Sequence, residues 1–416
     1  MELKNIIDSR KNELFSILSS LVKIDSQANG IDGKEKEIAF FIADFLKETG
    51  IEPDVYSPLD IPGFDSHPDR WAEHNLKDRY NVSAVIPGKD HSRRIMLAGH
   101  NDTVGIGNIE NWTVDPFGGE IKDSKIWGRG ACDDKYSIAA MLFLIKVFRE
   151  ENIEFPIDVV FTAYCNEEYG GSHGALAACL KYPCDEVINL DCKNFEIWNC
   201  AIGGGEMKLH IKAKSPVDDC EIIHEGLGYV VEEFRKFRKR REAELRAEEE
   251  YKNSAFVDEC VKFLEIRAGN QGNDLDRGHV EVCYYATSSE ETINREFEEM
   301  TEALNEKLDS INLVVDRIEK TTRYFHFGKT EKNNPTMNAL IDAAKEATGR
   351  TLVQIGACQS DLSIFLKYGS KNAFAFGIGR PFGEYGGAHQ VDEHIECNNL
   401  IEFAQILGEL LSKKLK

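Results

Sequence analysis

The sequence predicts an α/β domain built on a mostly parallel, buried sheet and interrupted by a smaller α+β domain. Three observations predict it. Apolar runs of strand length (81–86, 95–98, 157–163 and 187–190) alternate with helical patterns in the first half of the chain. After the glycines at 203–205 the texture changes to half-exposed strands and highly charged helices, and from about Phe325 the first texture returns. Near-continuous apolar strands suit a sheet covered by helices on both faces, whereas strands that alternate apolar and polar keep one face in water.

Each element has its own signal. Residues 5–24 place Ile6, Ile7, Leu14, Ile17, Leu18 and Leu21 at helical spacing. A second helix covers 34–49, with Gly50 as its cap. The apolar stretch 134–151 forms a helix between the second and third strands. In the insert, 206–214 (EMKLHIKAK) alternates as a strand does, and a long charged helix covers 222–252. Strands at 261–267 and 279–287, a helix at 289–309 and a strand at 311–318 complete a self-contained α+β unit. Pro335 opens a helix that ends at Gly349, 371–377 reads as a buried strand, and 400–415 as a closing helix. The expected division is 1–205 and 324–416 for the main domain and 206–323 for the insert, with 203–205 as the hinge strand.

Charge and composition narrow the function. The 416 residues suggest two or three domains. Their 50 Lys+Arg against 72 Asp+Glu give a net charge of −22, which excludes binding to a nucleic-acid backbone or an anionic membrane as the main activity. The run FRKFRKRR (234–241) is followed at once by EAELRAEEE, so on a helix it reads as a solvated, ion-paired face. No segment has the ~20 apolar residues of a membrane span. Charged residues near the N-terminus (Asp8, Arg10, Lys11, Glu13) speak against a secretion signal. The 11 cysteines contain no CxxC pair, so reduced thiols in a cytoplasm are expected.

The chemistry gathers where the strands end. The strand at 95–98 runs into GHNDTV with His100 and Asp102, the strand at 157–163 into YCNEEYGG with Glu167 and Glu168, and the strand at 187–190 into Asp191. Ligands of open α/β sheets bind outside the carboxyl ends of strands. GRGACDDK (128–135) adds Asp133 and Asp134 at a helix start, and GGAHQVDEH (386–394) adds His389. Two histidines with several carboxylates suit Zn²⁺, Mn²⁺ or Co²⁺. Glu167 and Glu168, adjacent at a buried strand end, call for a metal or a pairing partner. Taken singly, each residue has a plainer reading: Asp133 as a helix cap, Asp134 as an acid favoured by the helix dipole, a strand-end histidine as packing. His67, His74, His91, His173, His326 and His394 lack such neighbours and read as structural or surface residues.

The segments GHNDTV, GRGACDDK, NEEYGG, NLD (189–191) and AHQVDE (388–393) resemble, in order, those of the M20 family of dinuclear metallohydrolases, which includes deacylases, desuccinylases and dipeptidases. The resemblance implies the catalytic fold of zinc exopeptidases, with a ferredoxin-like insert serving as lid and dimerisation domain. It implies two divalent ions: His100 and Asp191 on one, Glu168 and His389 on the other, Asp133 bridging. Asp102 would orient His100, and Glu167 would be the general base toward a metal-activated water. The implied reaction is hydrolysis of the amide bond of a small N-acyl amino acid or dipeptide bearing a free carboxylate, by a homodimer. Carbamoyl-amide hydrolase, aminopeptidase and non-catalytic binding protein are the alternatives. Arg380 is a candidate for the substrate carboxylate, or a structural ion pair. Ser360–Asp361, after Gly356, resembles a small-residue turn near the substrate in relatives. The insert departs from the family: the stretch KAKSPVDDCEIIHEGLG lacks the usual lid histidine motif, and His224 is the nearest candidate by position, with His210 and His279 further off. The long connection 57–79 either lines the pocket entrance or packs over the first helices.

Overall fold

Four parallel strands form the centre of the main sheet: Ile157–Tyr164, Asp90–His100, Glu186–Asn189 and Ala373–Phe376, adjacent in that order. Asn81–Ile86 and then Asp54–Tyr56 extend one side antiparallel, and Glu196–Ala201 runs antiparallel on the other. Ile157–Tyr164 is buried at every position, as a strand covered on both faces must be. The helix Lys135–Glu150 packs on Asp90–His100, Lys11–Val22 and Cys397–Glu409 and is buried nearly all round. These elements belong to a computed structural model that describes residues 2–269 and 274–415.

The chain divides into two units. One holds the residues up to Asn199 together with Lys329–Ile355 and the chain from Ile364; the other holds Cys200–Gly328 and Gly356–Ser363. The expected boundaries at 205 and 323 differ from these by six residues at the first and five at the second. Segment 356–363 was expected in the main domain but joins the second unit. Within that unit the Tyr251 hydroxyl donates to the carbonyls of Ala357 (2.9 Å) and Cys200 (3.2 Å), and the Gln359 amide donates to that of Tyr284 (3.0 Å).

The second unit has the β-α-β-β-α-β order of a ferredoxin-like fold. Its antiparallel sheet runs Val261–Ala268, Arg277–Ala286, Gly203–Ala213, Leu313–Lys320. Helices Glu221–Ala247 and Glu290–Asp309 share one apolar core with the inner face of that sheet. The other face carries Lys208–Glu281, His210–Glu319, Lys212–Asp316 and His279–Glu265 pairs, which explains the alternation in sequence. The basic run is folded into the unit: Phe234 and Phe237 are in the core, and Arg240 and Arg241 pair with Glu296 at 3.0 and 2.6 Å.

Local departures have local causes. The first expected helix is two, Leu3–Ser9 and Lys11–Val22. They break at Arg10, whose guanidinium reaches Glu13 and Glu150, each at 2.6 Å. The long helix stops at Ala247, because the chain turns extended at Glu248 and buries Tyr251. Pro335 does open a helix: Asn334 caps it through bonds from Thr336 N–H (2.9 Å) and Met337 N–H (3.1 Å), and Gly349 closes it at φ 77°. Among the described residues no helix is long and apolar enough to cross a membrane.

Phe237 packs edge-on to Tyr284 (5.5 Å between centroids) and against Phe297 (5.3 Å). Replacing it with alanine is expected to destabilise the second unit by about 3–5 kcal/mol, measured by urea unfolding. A loss below about 1 kcal/mol would mean that this cluster does not hold the unit together.

Candidate metal centre

Register places the functional side chains on one edge. His100 is the last residue of its strand and lies level with Tyr164 of one neighbour. On the other side Ala98 is level with Asn189, and Leu190 N–H bonds Ala98 O (2.7 Å), so Asp191 lies level with His100. Asn166, Glu167 and Glu168 follow directly after the third strand end. A side chain at position 99 would strike Ser137 and Asp134, so only glycine lets the strand approach the helix that follows Asp133.

Four of the expected ligands converge. Asp133 turns one carboxylate oxygen to each of two imidazoles: Oδ1 is 3.0 Å from His100 Nε2, and Oδ2 is 3.2 Å from His389 Nε2. His389 Nε2 is also 3.0 Å from Glu168 Oε2, while Glu168 Oε1 accepts from Val104 N–H (3.1 Å). Donor atoms of His100, Asp133 and Glu168 all lie within 4.8 Å of one another. The His100 ring is inaccessible, whereas His389 is 35% exposed, so the cluster opens to solvent on its His389 side. His389 itself has φ 62°, in the left-handed region that non-glycine residues seldom adopt.

Burial and mutual charge shift the groups of this cluster strongly. Burial opposes protonation of His100, but the hydrogen bond to Asp133 and the charge of Glu167 raise its pKa well above the ordinary range. Burial is likewise outweighed at His389, where Glu168 and Asp133 raise the value to about 11. At Asp133 burial works upward, but the bonds to both imidazoles hold it far below the usual carboxylate range. Burial pushes Glu168 and Asp134 up. The two imidazoles are thus drawn to hold protons among buried acids, and a divalent ion supplies the same compensation. Oxygen and imidazole nitrogen donors in this arrangement fit zinc, cobalt or manganese.

The surroundings orient these groups. The Asp102 carbonyl accepts from His100 Nδ1–H (2.9 Å), which turns Nε2 toward Asp133. The Asp102 carboxylate accepts from the N–H groups of Glu167 (3.0 Å) and Glu168 (3.1 Å). Asp102 therefore meets His100 through its backbone and the acidic turn through its side chain. Asp134 stands at the start of helix Lys135–Glu150, but its carboxylate takes His100 N–H (3.2 Å) and the Ser137 hydroxyl (2.7 Å). The Tyr136 hydroxyl, which no sequence signal singled out, lies 2.6 Å from Leu190 O and 2.9 Å from Cys192 O, bracketing Asp191, and accepts from Ile378 N–H (3.1 Å).

The remaining candidates have other partners. Arg380 pairs with Glu396 (2.6 Å) and donates to Tyr385 O (3.2 Å), which is the ion-pair alternative. His224 is exposed in the first turn of Glu221–Ala247 and bonds Cys220 O (2.7 Å). His210 and His279 are paired with glutamates on the outer sheet face of the second unit. Asp361 is buried in that unit, 3.5 Å from Arg323. The connection 57–79 buries Phe64, His74, Leu76 and Arg79.

A parallel α/β sheet with imidazoles and carboxylates gathered at its strand ends is the architecture of a metal-dependent hydrolase. The model of peptidase family M20/M25/M40 matches residues 96–413, and the chain belongs to that family. It is a hydrolase of amide or peptide bonds. It is 25% identical to an uncharacterized metallohydrolase of Methanocaldococcus jannaschii, over 96% of this chain and 98% of the other. It is 28% identical to the N-formyl-4-amino-5-aminomethyl-2-methylpyrimidine deformylase of Halalkalibacterium halodurans, over 54% of this chain and 47% of the other. In fold it resembles a tripeptidase of Staphylococcus aureus, with a TM-score of 0.71 and 18% identity over 97% of this chain and 98% of that one.

Tyr136→Phe strips a buried N–H and the flanking carbonyls of their partner. The expected loss is about 1–3 kcal/mol of stability, measured by urea unfolding. An unchanged midpoint would show that the hydroxyl is dispensable to the Asp191 turn.

Proposed function

We propose that the protein is a dinuclear amidohydrolase that cleaves small N-acyl amino acids or dipeptides bearing a free carboxylate. The observation that carries this reading is Asp133, with one oxygen toward each of two imidazoles, as a bridging ligand would have. In this reading His100 and Asp191 hold one ion, Glu168 and His389 the other, and zinc is the first candidate, with cobalt or manganese as alternatives. When bound, such ions acidify water and polarise the amide carbonyl.

The chain's own groups supply the rest. Glu167 is half-buried, and its N–H is fixed by Asp102. It takes a proton from the attacking water and returns it to the leaving nitrogen. Asp102 keeps the His100 ring in the tautomer that faces Asp133. The similarity to a deformylase, partial in length, supports an N-acyl substrate over a free-amine substrate. Against Arg380 as the carboxylate anchor stands its bond to Glu396. His224 remains the nearest candidate for a lid histidine by position alone.

A homodimer through the second unit is supported by Val261–Ala268, an edge strand that exposes Leu264 and Ile266. The eleven free cysteines support a reducing, cytoplasmic setting.

Elemental analysis tests the centre. The wild type is expected to carry two zinc ions per chain, and Asp133→Ala to lose them. Glu167→Ala is expected to keep the metal and lose about 10²–10⁴-fold in kcat on N-acyl amino acids. A fully active Glu167→Ala variant would overturn the mechanism. Preference for substrates with a free amine would favour the aminopeptidase alternative.

A further inference from the structure

Behind the acidic turn lies a buried network that the proposed reaction does not use. Its hub is Arg79, at the end of the long connection 57–79 and wholly inaccessible. Its Nε donates to Glu35 Oε1 (2.6 Å), and Nη2 pairs with the same carboxylate. The hydrogen-bonding network turns the Asn166 amide oxygen toward Arg79, where it accepts from Nη1 (2.7 Å) and Nη2 (2.9 Å). The Asn166 amide nitrogen then donates to His173 Nδ1, and His173 Nε2–H donates to Trp71 O (2.9 Å). Arg79 Nη2 also faces Asp102 Oδ2 at 3.7 Å. A side chain at Gly33 would collide with both Arg79 and Glu35, so a glycine leaves the space they occupy.

Stability does not explain this arrangement. Burying an ion pair costs about as much in desolvation as it returns in attraction. Here Glu35 Oε2 is buried without a hydrogen-bond partner among the described residues. What the guanidinium touches is more informative. Asn166, Tyr169 and Ser172 have φ of 61°, 63° and 56°, so the turn carrying Glu167 and Glu168 is built on left-handed residues that persist only where their surroundings hold them. Two devices restrain it. Asp102 holds the N–H groups of Glu167 and Glu168, and Arg79 holds the Asn166 side chain while opposing the charge of Asp102.

We propose that Arg79, anchored by Glu35, is a positioning residue that holds the Asn166–Glu168 turn and Asp102 in the geometry needed for the second metal ion and the general base. This rests on the dinuclear reading above. Lysine cannot replace it, because one ammonium lacks the planar fork that meets a carboxylate and an amide together. Through Asp102 the same guanidinium acts on His100, so one cation steadies groups on both sides of Asp133.

Zinc titration with elemental analysis, and steady-state kinetics on an N-acyl amino acid, test this in the full chain. The variants are Arg79→Met, Asn166→Gly and the pair together. Glycine accepts φ 61° without strain, so Asn166→Gly removes only the amide. Each single variant is expected to weaken the second zinc ion about 10–100-fold. In saturating zinc kcat should fall by a similar factor, with KM changed less than about threefold. The double variant should be no worse than the worse single one, because both cut one link. Two tightly held zinc ions and kcat within about twofold of wild type in Asn166→Gly would overturn the proposal, as would additive losses. A merely structural Arg79 would lower the melting temperature and leave zinc content and kcat per folded chain unmoved, which also overturns it. Should Arg79→Met fail to fold, Asn166→Gly decides alone. A wild type that binds no zinc overturns the dinuclear reading itself, and this proposal with it.

Discussion

Buried carboxylates of like charge cannot share the end of a sheet without a compensating cation. That constraint governs the main unit of this protein. Parallel strands deliver their ends to one edge, and their registers bring His100, Asp191 and the Glu167–Glu168 turn to the same level. The helix starting after Asp134 brings Asp133 between two imidazoles. The helix Lys135–Glu150, buried nearly all round, and the strand Ile157–Tyr164, buried at every position, are the rigid base against which those ends are fixed. Loops alone would let mutually repelling acids move apart.

Much of this was legible in the sequence, for a physical reason. An apolar run that stops at acids or a histidine marks both a strand and its end, as at His100, Glu168 and Asp191, whereas the choice of Asp133, Glu168 and His389 as ligands came from the resemblance of their segments to those of the family. Elements with one strong period, such as Asn81–Ile86 and Glu290–Asp309, lie where their patterns placed them. Elements decided by tertiary contacts were not legible. The helix breaks at Arg10, whose guanidinium reaches Glu150 far along the chain. Tyr251 ends another because its ring fills a buried site. Glu35 and Arg79 lie 44 positions apart, and Tyr136 looked like any aromatic on an apolar helix. Nothing local announces a group whose partners come from three other elements.

Arg380 and His224 show the opposite limit. Both were singled out by position along the chain relative to recognisable segments. Arg380 has a nearer claim on its charge in Glu396, whose pKa is drawn down to about 2 by His394, 3.7 Å away, and by Arg380 itself. His224 is drawn to the carbonyl of Cys220 in its own helical turn. An arginine already sharing its charge with a carboxylate is a weak receptor for a second one, because the two anions repel and compete for one fork. In the proposed reading, a substrate carboxylate therefore needs a cation whose charge is not already spent.

The distribution of cations separates scaffold from site. Arg79 neutralises Glu35 and faces Asp102, Arg129 holds Glu393 at 2.5 Å, and Arg323 lies against Asp361. Those acids face a fixed positive charge, because a guanidinium does not give up its proton. The ion-pair partners of Asp133 and Glu168 are imidazoles instead. An imidazole can release its proton to solvent when a cation arrives and remain as a ligand through the freed nitrogen. An arginine in the same place would bar the cation. Fixed charges thus hold the framework, and exchangeable ones stand where a metal would replace a proton.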